Sequence, residues 1–205
     1  TLPDFMFEHA GQGYAGHGTL CGALGVSSAL INLVTYDDKH SFAAIIDRLM
    51  WWYAKMEFPT ERFDHLSAYP KQVKAQAMTP LCHTSVSKWT LAAGAEVNSK
   101  QKYGRCAKVA GEVVYTVVYY LNEYFDGRWK PAKWEPSKEI QHCISCHGPE
   151  EYGNYSDSMN QQQGHMECLE CHQDHMDPLF ERNKRKGTLP QSLLPSDATA
   201  IPKRK

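Results

Sequence analysis

The chain has 205 residues, 42% of them apolar and 11% aromatic, enough for one buried core with an appended segment and too apolar for wholesale disorder. Its 22 Lys+Arg against 23 Asp+Glu give no basic excess, which disfavours a nucleic-acid binder. The outlying counts are seven Cys and ten His, residue types that in such number point to metal or haem ligation before packing.

Residues Thr1 to Gly18 hold four Gly, one Pro and two His and read as an irregular arm. A helix is expected over Leu20 to Val34, capped by Thr19, with Gly22, Gly25, Ser27 and Ser28 small enough to let another helix or a cofactor approach the backbone. This apolar heart is shorter than the roughly 18 residues a membrane span needs, so it reads as a core helix and no membrane span is expected. A second helix is expected over Phe42 to Met56, capped by Ser41 or Asp38, because Ile45, Ile46, Leu49, Met50, Tyr53 and Met56 recur at 3–4 spacing. Thr79-Pro80 looks like an N-cap followed by Pro at the first helical position, opening a helix toward Ala95. Asn98 and Gly104 punctuate the chain before a helix over Arg105 to Phe125. Its inner face would carry Cys106, Val109, Ala110, Val113, Val117, Tyr120, Leu121 and Tyr124.

Beyond Gly127 the character changes. Trp129 to Pro136 reads as a linker. Ser137 to Phe180 is rich in Cys, His, Gln, Asp and Gly and has little apolar periodicity, so something covalent or metallic should organise it. Glu181 to Lys205 has seven Lys+Arg and two Asp+Glu, about +5, and reads as a solvated basic tail or an arm for an acidic partner. The expected architecture is mainly α: a helical domain over 1–128, an irregular haem-binding segment over 129–180 and the basic tail over 181–205.

Two pentapeptides carry the chemistry: Cys143-Ile144-Ser145-Cys146-His147 and Cys168-Leu169-Glu170-Cys171-His172. Both are C-x-x-C-H, in which two thiols add across the vinyl groups of one haem and the adjacent His is held beneath the iron. A random chain of this composition would contain roughly 0.01 such motifs, so two c-type haems are expected. The competing reading is one zinc ion between the C-x-x-C pairs. Twenty-one residues separate the pairs, beyond the ribbon spacing of about 15–20, and a ribbon has no use for a His after each pair. Covalent haem also implies the periplasmic side of an energy-transducing membrane, and a Thr at position 1 is compatible with a leader already removed.

Eight further His are available for the distal positions: His9, His17, His40, His65, His83, His142, His165 and His175. His17, in the glycine-rich arm, and His165, flanking the second motif, are the favoured pair. Met159, Met166 and Met176 are alternatives that would raise the potential. Closed, six-coordinate iron is the default, and it favours electron transfer over catalysis.

Cys21, Cys82 and Cys106 stand outside the paired motifs, each at an expected helix start. Helix starts favour a thiolate, so the three could converge on an iron–sulfur cluster or another metal. They could equally be small core residues.

On the Cys21-Gly22-Ala23-Leu24-Gly25 run, the lone Cys82 and Cys106, and the paired motifs at 143–147 and 168–172, the chain resembles the split-Soret cytochromes c of sulfate-reducing anaerobes. Its N-terminal part resembles a wider helical family with a Gly-Cys-Ala-x-x-Gly-type motif followed by two spaced cysteines. Leu20 and Gly22 flank Cys21 where that motif has Gly and Ala, so this second match is loose. The first resemblance implies a periplasmic homodimer with two bis-His haems per chain, stacked near the interface, one axial His coming from the partner chain. It also implies a non-haem iron–sulfur centre on Cys21, Cys82 and Cys106, expected to be [2Fe-2S]. The function expected is electron transfer to an unidentified redox protein, without enzymatic activity. The alternatives are a multihaem reductase of a small oxidised substrate and a structural zinc module.

Overall fold

The computed structural model describes residues 2–37, 39–131, 135–147 and 165–171. The chain divides into two units, Thr1–Glu170 and Cys171–Lys205, and of the second only Cys171 is described. The expected basic tail and most of the segment between the two haem motifs lie outside the described residues.

Helices dominate, as expected. A 3-10 helix Asp4–Ala10 leads to α1 (Gly22–Thr35), α2 (Ser41–Lys55), β1 (Glu57–Phe58), a 3-10 turn Asp64–Leu66, β2 (Ala75–Gln76), α3 (Cys82–Ala93), α4 (Lys100–Phe125), α5 (Lys138–His147) and a 3-10 turn Cys168–Glu170. The two strands form one antiparallel pair, with Glu57 opposite Gln76 and Phe58 opposite Ala75. The core lies where α1, α2 and α4 meet: Leu24 and Ile31, then Ile45, Leu49 and Tyr53, then Val109, Val113, Val117 and Tyr120, closed by Phe58 and Ala77. Each such aliphatic side chain, fully withdrawn from water, contributes about 1.5–3 kcal/mol before ordering costs. Among the described residues no helix is long and apolar enough to cross a membrane.

Several helix starts differ from the sequence expectation. Cys21, not Thr19, is the N-cap of α1, because residues 19–21 run alongside 80–82: Leu20 and Leu81 form an antiparallel bridge. For α2 the organiser is Asp37, whose Oδ1 accepts from the Lys39 and Ser41 amides at 3.1 and 2.9 Å. α3 begins at Cys82 rather than beside Pro80, and the Thr79 hydroxyl accepts from Leu81 N–H at 3.2 Å while also bonding Thr84. α4 begins a turn and a half early, capped by Ser99, whose Oγ accepts from Lys102 N–H at 3.2 Å. Gly104 therefore lies inside α4, where an added Cβ would come within 2.6 Å of the Tyr69 ring.

The inner face of α4 is not purely apolar. Lys102, Arg105, Lys108 and Glu112 are buried along it. Lys108 pairs with Asp64, Glu112 accepts from Arg62 Nε at 3.2 Å and also bonds Thr60, and the Lys102 ammonium sits 3.8 Å from the centre of the Tyr103 ring.

The segment expected to be irregular contains α5, which buries Ile140 and Ile144. Residues 165–170 are held by polar staples. Glu167, itself buried, bonds Lys55 Nζ of α2 and Ser137 Oγ, both at 2.6 Å. Glu170 pairs with Lys88 Nζ of α3 at 2.6 Å, and Glu139 Oε1 accepts from Leu169 N–H at 3.0 Å.

Candidate functional site

The three lone cysteines do stand at helix starts: Cys21 caps α1, Cys82 is the first residue of α3, and Cys106 lies in the second turn of α4. The antiparallel crossing of residues 19–21 with 80–82 sets two of them diagonally across one bridge, Cys21 opposite Pro80 and Cys82 opposite Thr19. Cys21 N–H donates to Pro80 O at 3.0 Å and Cys82 N–H to Thr19 O at 2.7 Å. The arm then folds over the start of α3. His83 N–H donates to Gly18 O at 2.9 Å, and Gly13, at φ +71, lies so close that a Cβ there would come within 2.7 Å of the Cys82 Cβ. Only glycine fits both that dihedral and that gap.

The three thiols are half-buried and close enough to feel one another. Burial, then the neighbouring Cys21 and Cys106, push the Cys82 thiol up to about 11, against the opposing pull of Arg105 and Lys102. The expectation that a helix start would favour the Cys82 thiolate is thereby reversed: desolvation and mutual repulsion outweigh the helix dipole. Behind the thiols lies a buried polar cluster. Tyr53 donates to Ser85 Oγ at 2.9 Å, and Arg105 Nη2 donates to the same oxygen at 2.8 Å. Burial foremost, then Cys21, hold the Tyr53 hydroxyl well above its usual range, so it stays protonated.

The donor chemistry suits a negatively charged iron centre: three thiols from three helix starts, faced by two buried cations. Among the described residues no three His, Cys, Asp or Glu side chains stand close enough to clasp a single ion. A cluster that spreads its thiolates over more than one iron spans a wider gap.

Arg105, Lys102, Ser85 and Tyr53 were not read from the sequence as residues of this site; Tyr53 stood only as part of the periodic face of the second helix. A signal existed for the two cations, since positions 102, 105, 109 and 113 recur at helical spacing and only the last two are apolar.

The first haem motif occupies the end of α5, so Cys143 and His147 stand one turn apart on one face, as a shared haem requires. Cys146 is on the same helix. In the second motif, Cys168 opens the 3-10 turn, Cys171 is exposed, and His172 lies outside the described residues. Cys143 and Cys168 are neighbours: burial, followed by the charge of Cys143 and a hydrogen bond with it, raises the Cys168 thiol to about 11.

The favoured distal ligands fall in different places. His165 lies at the second motif, its Nδ1 3.3 Å from Asp47 Oδ1 of α2. His17 is exposed on the arm that covers Cys82, its backbone N–H donating to Tyr14 O at 3.1 Å. The structure thus puts His17 on the arm that packs against the start of α3, beside the cysteine site.

The model of a family described as "Putative redox-active protein (C_GCAxxG_C_C)" matches residues 4–120, more than half of the chain. The chain belongs to this family. The match takes in Cys21, Cys82 and Cys106 and stops before the first C-x-x-C-H, so the three-cysteine body is the family's common part and the haem segment is an addition to it. Over 174 residues the chain is 27% identical to split-Soret cytochrome c of Desulfovibrio desulfuricans (strain ATCC 27774 / DSM 6949 / MB), which covers 83% of this chain and 60% of that protein. The chain thus spans less than two thirds of the relative's length. A solved structure of split-Soret cytochrome c from D. desulfuricans ATCC 27774, described for a novel iron centre, matches with a TM-score of 0.70 at 26% identity, over 84% of this chain and 70% of that one. The resemblance read from the sequence thus reappears in both sequence and fold.

Proposed function

We propose that this protein is a periplasmic electron carrier. It binds two c-type haems through Cys143, Cys146, His147 and Cys168, Cys171, His172, each iron bis-His ligated, and an iron–sulfur cluster of the [2Fe-2S] type on Cys21, Cys82 and Cys106. The observation that carries this reading is the placement of the two motifs. Their leading cysteines, Cys143 and Cys168, adjoin, and the second motif is stapled to the redox-family body through Lys55, Lys88 and Asp47. Lys88 sits six residues after Cys82 on α3, about 9 Å of helix axis, so both candidate centres border one helix.

Haem and cluster supply the one-electron chemistry when bound; the chain's part is to hold them near one another and keep water out. A histidine whose Nδ1 faces a carboxylate is in the tautomer that presents Nε2 to a metal. The Asp47–His165 pair supports His165 as a distal ligand on that ground. His17 is the proposed second ligand, reaching a haem of a partner chain from its exposed arm.

The partner chain we propose is a second copy. α4 exposes Val114, Tyr115, Val118 and Tyr119, and the end of α1 exposes Leu33, Val34 and Tyr36, an apolar area typical of an interface.

The test is a spectrum of the purified protein with metal analysis. We expect two haems per chain, non-haem iron with labile sulfide, and low-spin bands that carbon monoxide does not alter. A high-spin fraction that binds carbon monoxide would favour the reductase, and a colourless zinc protein would end the haem reading.

A further inference from the structure

A cleft of about 360 Å3 opens between α2 and α4 and takes in Thr60 and Arg62 from the loop after β1. Small-molecule sites occupy roughly 300–1,000 Å3, so a compact ligand has room. The cleft is lined by residues other than the cysteines and the haem motifs. Its walls are aromatic: Trp52 on α2, and Tyr115, Tyr119 and Tyr120 on α4. Helical spacing explains the grouping. Arg48 and Trp52 are four residues apart on α2, and Tyr115 and Tyr119 are four apart on α4, so each pair shares a helix face. Tyr115 and Tyr119 are each 49% exposed, which leaves flat ring surface open to an incoming ring.

Two guanidiniums are fixed on these walls by the faces of rings. Arg62 lies 3.9 Å from the centre of the Tyr115 ring, and Arg48 lies 4.5 Å from that of Tyr120 and 4.9 Å from that of Trp129. Stacking of this kind positions a guanidinium through its flat face and leaves the N–H edge for hydrogen bonding. Arg48 reaches Lys130 O at 3.5 Å and Glu123 Oε2 at 3.6 Å, both longer than an ordinary hydrogen bond of about 2.7–3.2 Å. Arg62 gives its Nε to the buried Glu112, and its side chain is still 46% exposed. The rings beneath the two guanidiniums, Tyr115 and Tyr120, are five residues apart on α4, about 7.5 Å along the axis. That is about twice the reach of one ion pair, so a single acidic group can be approached from both sides.

We propose that this cleft binds a small planar aromatic carboxylate, its ring against Trp52 and Tyr119 and its acid group between Arg48 and Arg62. The two features select together. An aliphatic acid would leave the rings unused, and a neutral ring would leave the guanidinium forks unused. A polyanion is disfavoured, because Glu112 and Glu123 stand beside the two cations. The site does not depend on the haems or on the three-cysteine centre. It does share Tyr115 and Tyr119 with the apolar face proposed for a second copy, and the experiment separates the two.

The experiment is calorimetric titration of the purified full-length protein with 2-naphthoate. Naphthalene-2-methanol, which keeps the ring and loses the charge, and cyclohexanecarboxylate, which keeps the charge and loses the flat ring, are the controls. The expected result is saturable binding of one naphthoate per chain, with both controls at least tenfold weaker and the visible spectrum unchanged. Arg48→Gln removes one fork and should weaken naphthoate at least tenfold. Tyr119→Ser removes one exposed ring and should weaken it several-fold; it decides the matter should Arg48→Gln fail to fold. The titration is repeated on Val118→Glu, which alters the face proposed for a second copy and leaves the cleft lining intact; binding by either form supports the proposal. Absence of saturable binding in both forms, equal affinity for naphthalene-2-methanol, or wild-type affinity in both Arg48→Gln and Tyr119→Ser would overturn it. So would a visible band that shifts with naphthoate, since the probe would then sit on a chromophore and not in the cleft.

Discussion

Cys82 is where the local and the tertiary forces on one residue can be separated. The first position of a helix favours negative charge, yet burial and two neighbouring thiols push its thiol up to about 11. In metal-free protein near neutral pH its thiolate is then about 100-fold scarcer than that of an ordinary cysteine. Iodoacetamide should alkylate Cys82 about that much more slowly than a free thiol, and peptide mapping against time measures it; alkylation at the ordinary rate would contradict the burial argument. Metal must displace that proton, so loading should weaken as pH falls. Cys82→Ala should abolish non-haem iron and labile sulfide and leave both haem bands as they were. Labile sulfide at the wild-type amount in Cys82→Ala would remove this residue from the centre.

At the scale of elements, the contacts that fix the three cysteines are close approaches of backbone. An added Cβ at Gly22 would lie 2.2 Å from the carbonyl oxygen of Ala10. That oxygen belongs to backbone and cannot swing aside, so Gly22→Ala should lift the arm off α1 and cost about 1–3 kcal/mol in a denaturant titration. An unchanged midpoint would mean that the arm does not seal the site. A second element-level device is Asp64, held below the usual carboxylate range chiefly by its hydrogen bond to Lys108. A carboxylate depressed in the folded state stabilises above its unfolded value, about 3.9, and that stability is lost as pH falls through the folded value. The melting temperature should therefore drop on acidification below about pH 4, and Asp64→Asn should show a smaller drop over the same interval. Equal slopes in both proteins would exclude this pair as a source of acid sensitivity.

These elements also show what a linear reading can reach. α1 and α2 were legible because apolar residues recur along them at helical spacing, Leu24 and Ile31 in α1 and Ile45, Leu49 and Tyr53 in α2. The start of α4 was not, because its first buried residues are Lys102 and Arg105, and Gly104 looked like a break while serving as a close-packing point under Tyr69. α5 was missed because only Ile140 and Ile144 mark its inner face. The haem motifs stood out because the attachment chemistry is local, fixed by five consecutive residues. The meeting of Cys21, Cys82 and Cys106 is long-range: it depends on the pairing of 19–21 with 80–82, which two short and unremarkable sequences do not announce.

At the scale of the whole molecule, the family body with three cysteines is tied by ion pairs to the stretch that opens the second C-x-x-C-H motif. Lys88→Gln would remove the Glu170 tie; since that pair is partly exposed, we expect a small loss of stability, under about 1 kcal/mol, together with a changed Soret band if the tie positions the second haem. An unaltered band would show that the haems place themselves. The apolar row on α4 carries a related expectation. Val118→Glu should shift the protein from dimer to monomer in sedimentation, and a wild-type monomer would contradict the interface.

In the proposed holoprotein two haems are bonded through thioethers to Cys143 and Cys146 and to Cys168 and Cys171. Intact-mass spectrometry of the unfolded chain after acid–acetone extraction measures this directly. The expected mass is that of the polypeptide plus two haems, with the colour remaining on the protein. A mass equal to the bare polypeptide, with the pigment in the acetone or no pigment at all, would contradict it.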